Sequence, residues 1–186
     1  WSRTEQLAAG RHLRYVPVTP DEPVDDDYRV GYIAGLSLGD GTFRYQPGWR
    51  SDKLGFPAAY WRIALADDEP LARIVEYLRC FAVEAHLRPF SAATVDRRAL
   101  SKVEIRSLPR LAVIRGLLCA EPDTRSYRRG FLAGFFDAEG YKGDSPRISQ
   151  VDVSVLERVQ AYGRSLGFAF QLEPRPGPAS TLRLPG

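Results

Sequence analysis

Residues 31–41 read Gly31-Tyr32-Ile33-Ala34-Gly35-Leu36-Ser37-Leu38-Gly39-Asp40-Gly41, and a second version follows as Gly130-Phe131-Leu132-Ala133-Gly134-Phe135-Phe136-Asp137-Ala138-Glu139-Gly140. Each copy has small residues on one helical face, large apolar residues on the others, and an acid before the closing glycine. Small residues along one face let two helices approach backbone to backbone. The pattern therefore predicts two packed helices whose acidic ends lie side by side.

The two copies belong to a longer internal repeat. A separation of 99 positions relates Gly31/Gly130, Ala34/Ala133, Gly35/Gly134 and Gly41/Gly140. Farther along, a separation of 85 positions relates Arg62/Arg147, Ile63/Ile148, Asp67/Asp152, Leu71/Leu156, Arg73/Arg158, Tyr77/Tyr162, Leu87/Leu172 and Pro89/Pro174. The shift falls in a loop between strands, where an insertion costs little. Repetition in register predicts a duplicated fold.

Periodicity and turn signals predict three parts: a lead and linker over 1–27, a first repeat over 28–125 and a second over 126–186. The first repeat is predicted as helix 28–40, strands 42–46 and 60–66, helix 69–81, strands 85–90 and 102–106, and helix 108–118. The second is predicted as helix 126–139, a short strand or turn over 141–145, strand 147–150, helix 153–166, and strands 168–173 and 181–184. By the same register, a helix equivalent to 108–118 is expected after Gly186.

Composition excludes several classes of function. The chain has 186 residues and a formal net charge of +3, and Arg supplies all but three of its 26 basic residues. Arg is the better ligand for phosphate and guanine, although a GC-rich or heat-adapted source explains the bias equally well. The chain has only two histidines, His12 and His86, which are too few for zinc clusters, HNH-type nuclease sites and most Ser-His catalytic sites. Cys80 and Cys119 are expected to be buried core thiols.

The sequence also gives expectations about location. No run of 18 apolar residues occurs, so no membrane association is expected. There is no secretory leader at Trp1, which favours a cytoplasmic protein, and a prokaryotic host is expected. The absence of Met suggests that the natural start lies upstream.

The acids that end the two helices indicate a metal site. A carboxylate on the last turn faces the negative end of the helix dipole, and two packed helices would bring Asp40 and Glu139 together. Like charges there destabilise the fold unless a cation lies between them, and Mg²⁺ prefers such oxygen ligands. An acid before glycine in one copy would simply end a helix, but two copies in register favour a site. The acids 25–27 are interpreted instead as a helix cap and dipole complement.

Ile33 to Gly41 and Leu132 to Gly140 resemble the two signature motifs of the LAGLIDADG homing endonucleases, in the single-chain, two-motif form. The resemblance covers roughly 28–184. It implies an α+β fold with a pseudo-twofold duplication of an αββαββα unit, in which two antiparallel sheets form a DNA-binding saddle around central LAGLIDADG helices. It also implies a monomer that acts as a pseudo-dimer on double-stranded DNA with a long target site. The activity implied is metal-dependent hydrolysis of both strands, with Mg²⁺ as cofactor, Mn²⁺ as a substitute, and Ca²⁺ binding without cleavage.

The resemblance also implies site residues. Asp40 and Glu139 match the catalytic metal-binding acids, with Gly39 and Ala138 beside them in the metal site. Gln150 resembles the polar residue that orders water, whereas its counterpart Leu65 cannot. Arg106 resembles the basic active-site residue, and Lys102 is the alternative. The second repeat offers only Arg183 nearby, so balanced cleavage of the two strands is in doubt.

Strand alternation presents every second side chain to DNA. The DNA-binding residues expected in the first repeat are Thr42, Arg44, Gln46, Arg62, His86 and Arg88, with Arg50, Lys53, Arg97 and Arg98 in loops. Those expected in the second repeat are Tyr141, Lys142, Arg147, Ser149, Gln171, Arg175 and Arg183. The first repeat has more Arg residues at these positions and is expected to contribute more of the affinity for DNA.

Two alternatives stay open at this point. A catalytically impaired protein of the same fold would bind nucleic acid as an RNA maturase or a DNA-binding regulator. The context is also open between an intein, an intron and a free-standing gene, because residues 1–18 resemble the lead from an intein splicing domain into its endonuclease insert.

Overall fold

The computed structural model describes residues 22–45, 59–141, 146–173 and 179–184. The first half of the described chain contains α1 (Asp26–Asp40), β1 (Gly41–Tyr45), β2 (Ala59–Leu65), α2 (Asp68–Cys80), β3 (Leu87–Ser91), β4 (Leu100–Ile105) and α3 (Leu108–Cys119). The second contains α4 (Arg125–Glu139), β5 (Gly140–Tyr141), β6 (Arg147–Gln150), α5 (Val153–Ser165), β7 (Gln171–Glu173) and β8 (Ser180–Arg183).

The two halves repeat one sheet topology. The described strands form two antiparallel four-stranded sheets, with the orders β1-β2-β4-β3 and β5-β6-β8-β7. Gly41 pairs with Ile63 in the first sheet, and Gly140 pairs with Ile148 in the second. The α+β class and the duplication predicted from the repeat are confirmed.

Polar side chains fix the starts of the long helices. The Asp25 carboxylate accepts a hydrogen bond from the Tyr28 amide at 2.8 Å, and Thr124 Oγ1 accepts one from the Tyr127 amide at 3.1 Å. Such N-caps satisfy amide groups that have no partner within the helix. The Ser126 hydroxyl also donates to Asp25 at 2.5 Å, so the start of α4 is joined to the start of α1.

The helices α1 and α4 touch along their glycines. A Cβ on Gly35 would lie 2.2 Å from the Phe131 carbonyl oxygen, and a Cβ on Gly134 would lie 2.2 Å from that of Tyr32. Gly31 and Gly130 make equally close approaches, at 2.2 and 2.0 Å. The predicted backbone-to-backbone packing is confirmed for these residues.

The helix pair also joins two apolar cores. One is built around Trp61, Ile63 and Val103 against α2 and α3, and the other around Ile148, Leu156 and Leu182. Val30 and Ala34 of α1 belong to the second core, and Ala133 and Ala138 of α4 pack against the first. Each central helix therefore contributes to both cores, as side chains on opposite faces of one helix require.

Some details differ from the sequence expectations. Cys80 and Cys119 are exposed rather than buried, because each is the last residue of a helix and lies beyond the core-facing stripe. Strand β3 starts at Leu87, so His86 precedes it. Strand β7 starts at Gln171, and Phe170 directly before it is buried in the core. None of the described helices is long and apolar enough to cross a membrane.

Candidate nucleic-acid interface and metal site

The ends of α1 and α4 bring the two signature acids to one place. A Cβ on Gly39 would lie 2.4 Å from the Ala138 Cβ and 3.1 Å from the Glu139 Cγ, so the last turns are in contact. Asp40 and Glu139 are the final residues of these helices. The structure therefore brings together the four residues predicted for the metal site: Gly39, Asp40, Ala138 and Glu139.

Both carboxyl groups hold their protons more tightly than usual. Asp40 is exposed as a residue, yet the protein atoms packed around its carboxyl group partly desolvate it and raise its pKa. Burial also raises the pKa of Glu139, and the negative charge of Asp40 raises it further. The helix ends therefore carry two carboxylates that repel each other.

A divalent cation fits these two side chains. Within the described ranges neither acid forms an ion pair with Arg, Lys or His, and no group of three or more acidic, His or Cys side chains forms a complete protein-only cage. Carboxylate oxygens with raised pKa values are the ligands that a hard cation would stabilise in the ionised form. Mg²⁺ commonly takes one or two carboxylates and completes its shell with water and phosphate.

Gln150 lies beside one of the acids only. Its side-chain amide donates to Glu139 Oε1 at 3.4 Å, and this contact opposes the rise in the Glu139 pKa. The equivalent residue of the first sheet is Leu65, which packs against the apolar core. The water-ordering residue predicted from the resemblance thus lies at the Glu139 end, and the position equivalent to it in the first sheet is the apolar Leu65.

Strand register places Lys102 next to the row of residues that starts at Gly41. Gly41 pairs with Ile63, and Ile63 also pairs with Val103, the residue after Lys102. Asp40, the last residue of α1, directly precedes Gly41. In the second sheet the position equivalent to Lys102 is Thr181, which pairs with Ser149 and shares a 2.9 Å hydrogen bond with its hydroxyl.

Arg106 lies elsewhere on the same face. It is four residues beyond Lys102, about 13 Å along a strand at roughly 3.3 Å per residue. Its Nε donates to Glu104 Oε1 at 2.8 Å. Lys102 is therefore nearer along the strand to the row of Gly41 than Arg106 is, while Lys102 Nζ and Arg106 Nη2 both contact Glu104 Oε1, at 3.4 and 2.7 Å.

The first sheet turns one face away from its helices. Trp61, Ile63 and Val103 point into the core, so their strand neighbours point outward. The outward residues that pair across the strands include Thr42 with Arg62, Arg62 with Glu104, and Arg88 with Lys102. Arg44 lies on this face of β1, and His86, just before β3, lies 3.5 Å from Glu84. Arg97 and Arg98 are exposed in the loop between β3 and β4.

The second sheet has a different outward face. Tyr141 pairs with Arg147, Arg147 with Arg183, and Gln171 with Arg183, so these four predicted residues share one surface. The Arg147 Nε is buried with no hydrogen-bond partner. Glu173 lies 3.5 Å from the Arg183 Nη1. The predicted residues Gln46, Arg50, Lys53, Lys142 and Arg175 lie outside the described residues.

Two features were missed by sequence reasoning. Glu104 lies on the outward face of the first sheet among basic residues. Asp137 accepts hydrogen bonds from the Tyr32 hydroxyl at 2.7 Å and from Arg73 Nη1 at 2.8 Å. The repeat could have revealed the role of Asp137. The equivalent position in the first copy is Leu38, so only the second copy of the motif has an acid there.

The fold is similar to that of known proteins. No family model and no curated protein matches the chain. Among solved structures, the homing endonuclease I-DmoI in complex with DNA and Mn is 15% identical, covers 87% of this chain and 91% of its own, and gives a TM-score of 0.62. I-DmoI in complex with DNA and Ca gives a TM-score of 0.64 at 15% identity, covering 86% of this chain and 84% of its own.

A second kind of protein shares the architecture. The N-terminal LAGLIDADG domain of DUF199/WhiA is 9% identical, covers 89% of this chain and 79% of its own, and gives a TM-score of 0.62. The full-length protein from Thermatoga maritima gives 0.61 at 10% identity, with 88% and 53% covered. The chain therefore has the LAGLIDADG fold, and the resemblance drawn from the two motifs is confirmed at that level.

Proposed function

We propose that the chain is a site-specific double-strand DNA endonuclease that hydrolyses phosphodiesters with a divalent metal held by Asp40 and Glu139. The single observation that carries this proposal is the meeting of these two acids at the ends of duplicated helices, where the charge of one raises the pKa of the other. A fold that only needed to end two helices would gain nothing from this repulsion.

Each residue near the helix ends has a role in this scheme. Asp40 and Glu139 would hold the metal, with the backbone of Gly39 and Ala138 beside them. When bound, a divalent metal polarises the scissile phosphate and lowers the pKa of attacking water. Gln150 orients water next to Glu139, and Lys102 stabilises negative charge that develops next to Asp40. Arg106 lies outside this group and contacts DNA instead.

The two outward sheet faces bind the substrate. Strands in the major groove present alternate side chains to bases and phosphates, and the basic residues of these faces supply the phosphate contacts. I-DmoI, which has this fold, forms a complex with its target DNA and Mn. Two sheets with a helix pair between them suit a long target site and a monomer that acts as a pseudo-dimer.

A second candidate is a nucleic-acid-binding protein of the same fold without nuclease activity. The likeness to the LAGLIDADG domain of WhiA supports this second candidate. The site residues also favour this candidate, because neither half has both polar groups. The first half has Leu65 where the second has Gln150, and the second half has Thr181 where the first has Lys102.

A plasmid library with a randomised insert separates the two candidates. Incubation with Mg²⁺ should linearise the members that carry one sequence, and the reaction should stop in EDTA and proceed with Mn²⁺. Binding of a selected duplex in Ca²⁺, with no nicked or linear product in Mg²⁺ or Mn²⁺, would contradict the endonuclease and support the second candidate.

A further inference from the structure

One carboxylate lies in the middle of a basic surface. Glu104 is on the outward face of β4, and its side chain is 14% exposed. Its oxygens lie 2.7 Å from the Arg106 Nη2, 3.4 Å from the Lys102 Nζ and 3.9 Å from the Arg62 Nη1. Three of the cations on this face thus gather around one acid.

An aromatic ring also lies close to two of these cations. The Arg62 guanidinium lies 4.8 Å from the centroid of the Phe90 ring, and the Lys102 ammonium lies 5.1 Å from it. A cation over an aromatic face is attracted by the negative charge of the ring face. Arg62 and Lys102 thus each lie close to both Glu104 and Phe90, and they are only 28% and 19% exposed.

The fold itself does not require an acid at this position. Arg62 pairs with Glu104 in the first sheet, and the equivalent pair of the second sheet is Arg147 with Arg183. An acid on a DNA-facing surface lowers the attraction to phosphates, because each neutralised cation releases fewer counterions from the DNA. A role in stability alone does not explain why the acid stands among the cations that face DNA.

We propose that Glu104 is a specificity-determining residue that holds Arg62, Lys102 and Arg106 against the sheet and so weakens binding to DNA of arbitrary sequence. Phosphates alone compete poorly with a carboxylate already in contact with these cations. A target duplex that also forms base contacts offsets the loss of the contacts to Glu104. This inference rests on the proposed function, since it assumes that the outward face binds DNA.

The test measures affinity for DNA that contains no target. A labelled duplex of random sequence is titrated by fluorescence anisotropy with the wild type, Glu104→Gln and Glu76→Gln, in EDTA over a range of salt concentrations. Glu76→Gln is the matched control, because it changes the net charge equally on the exposed side of α2, away from the outward face. We expect Glu104→Gln to bind roughly three- to tenfold more tightly at low salt, with a steeper salt dependence, and Glu76→Gln to change binding less than twofold.

A second comparison tests the contact between Arg106 and Glu104. Arg106→Gln should weaken this binding less than Arg88→Gln does, because Arg106 is held by Glu104 whereas Arg88 lies on β3 and is not among its partners. In the Glu104→Gln background, Arg106→Gln should weaken binding to the random-sequence duplex by a larger factor than it does in the wild type. The comparison of Arg106→Gln with Arg88→Gln decides the question even if Glu104→Gln does not fold.

The outcomes separate the two proposals. A wild type that binds no duplex of any sequence would overturn the proposed function and this inference together. A wild type that binds DNA, with equal effects of Glu104→Gln and Glu76→Gln, would overturn the inference alone. Equal costs of Arg106→Gln and Arg88→Gln would also overturn it.

Discussion

Arg73 of α2 donates to Asp137 Oδ2 of α4 at 2.8 Å, and the Tyr32 hydroxyl donates to the same oxygen at 2.7 Å. The contact links the first half of the molecule to the second through a half-buried carboxylate. Burial and the hydrogen bond to Asp137 raise the pKa of Tyr32, so the phenol remains a donor across the physiological range. The equivalent position in α1 is Leu38, so this link exists once.

Loss of this carboxylate should destabilise the molecule. We expect Asp137→Ala to lower the free energy of unfolding by about 1–3 kcal/mol, because it leaves Arg73 and the Tyr32 hydroxyl without their shared acceptor. Glu121→Ala is the control, since Glu121 forms a more exposed pair with Arg158 at 3.1 Å and should cost below about 1 kcal/mol. Urea unfolding measures both, and equal losses would count against the link.

The close helix contact predicts opposite effects of two Gly→Ala substitutions. Gly35→Ala should cost about 3 kcal/mol or more, because its Cβ would lie 2.2 Å from a backbone oxygen of α4. Gly116→Ala in α3 meets nothing within 4 Å and should stabilise by about 0.5–1 kcal/mol through helix propensity. Thermal unfolding of both variants provides the measurement, and a harmless Gly35→Ala would contradict the backbone contact.

The two signature acids should destabilise the free protein at neutral pH. Their pKa values are raised in the fold, so the folded state binds protons more tightly than the unfolded chain. Stability contributed in this way is present at low pH and is lost as the pH rises from the ordinary carboxyl range through the raised values. Without divalent metal, Glu139→Gln should therefore raise the Tm by about 1–3 °C at pH 7 and by less near pH 4. A lower Tm at pH 7 would contradict the repulsion.

Divalent metal should reverse the effect of these charges. Ca²⁺ or Mg²⁺ should raise the Tm of the wild type, because a ligand that binds only the folded state stabilises it. The shift should shrink in Glu139→Gln and persist in Glu121→Gln, whose carboxylate lies elsewhere. Equal shifts in all three proteins would place the bound metal away from the helix ends.

Lys102 and Arg106 should differ in what they contribute to cleavage. On a selected target under single-turnover conditions, Lys102→Met should slow cleavage by about 10²-fold, because Lys102 adjoins the row of Gly41, the residue that follows Asp40. Arg106→Met should change the cleavage rate of bound DNA by less than about tenfold and act mainly on binding. The reverse order would return the basic active-site role to Arg106.

The sequence predicted the duplicated order of elements and the contact of the two glycine-bearing helices, because matched residues recur at fixed separations through α1, β2, α2 and β3. It did not predict the surroundings of Lys102. The separation of 85 positions does not relate β4 to β8, and backbone pairing is what shows that Lys102 is equivalent to Thr181 and Glu104 to Arg183. Pairing between strands distant in sequence depends on tertiary packing, which a local pattern does not contain.

The exposure of the two cysteines was missed for a different reason. Cys80 and Cys119 lie within apolar patterns, which favoured burial, but each ends its helix. In the last turn of α2 the core-facing stripe ends with Tyr77 and Leu78, which are buried, whereas Cys80 lies off that stripe and is exposed.

The central claim is that Asp40 and Glu139 hold the metal that cleaves DNA. The direct measurement is single-turnover cleavage of a selected target in Mg²⁺ by the wild type, Asp40→Asn and Glu139→Gln, with Asp26→Asn at the other end of α1 as the control. We expect each of the two variants to lose cleavage by about three orders of magnitude or more while still binding the target in Ca²⁺, and the control to cleave at the wild-type rate. Cleavage at the wild-type rate by both Asp40→Asn and Glu139→Gln would contradict the claim.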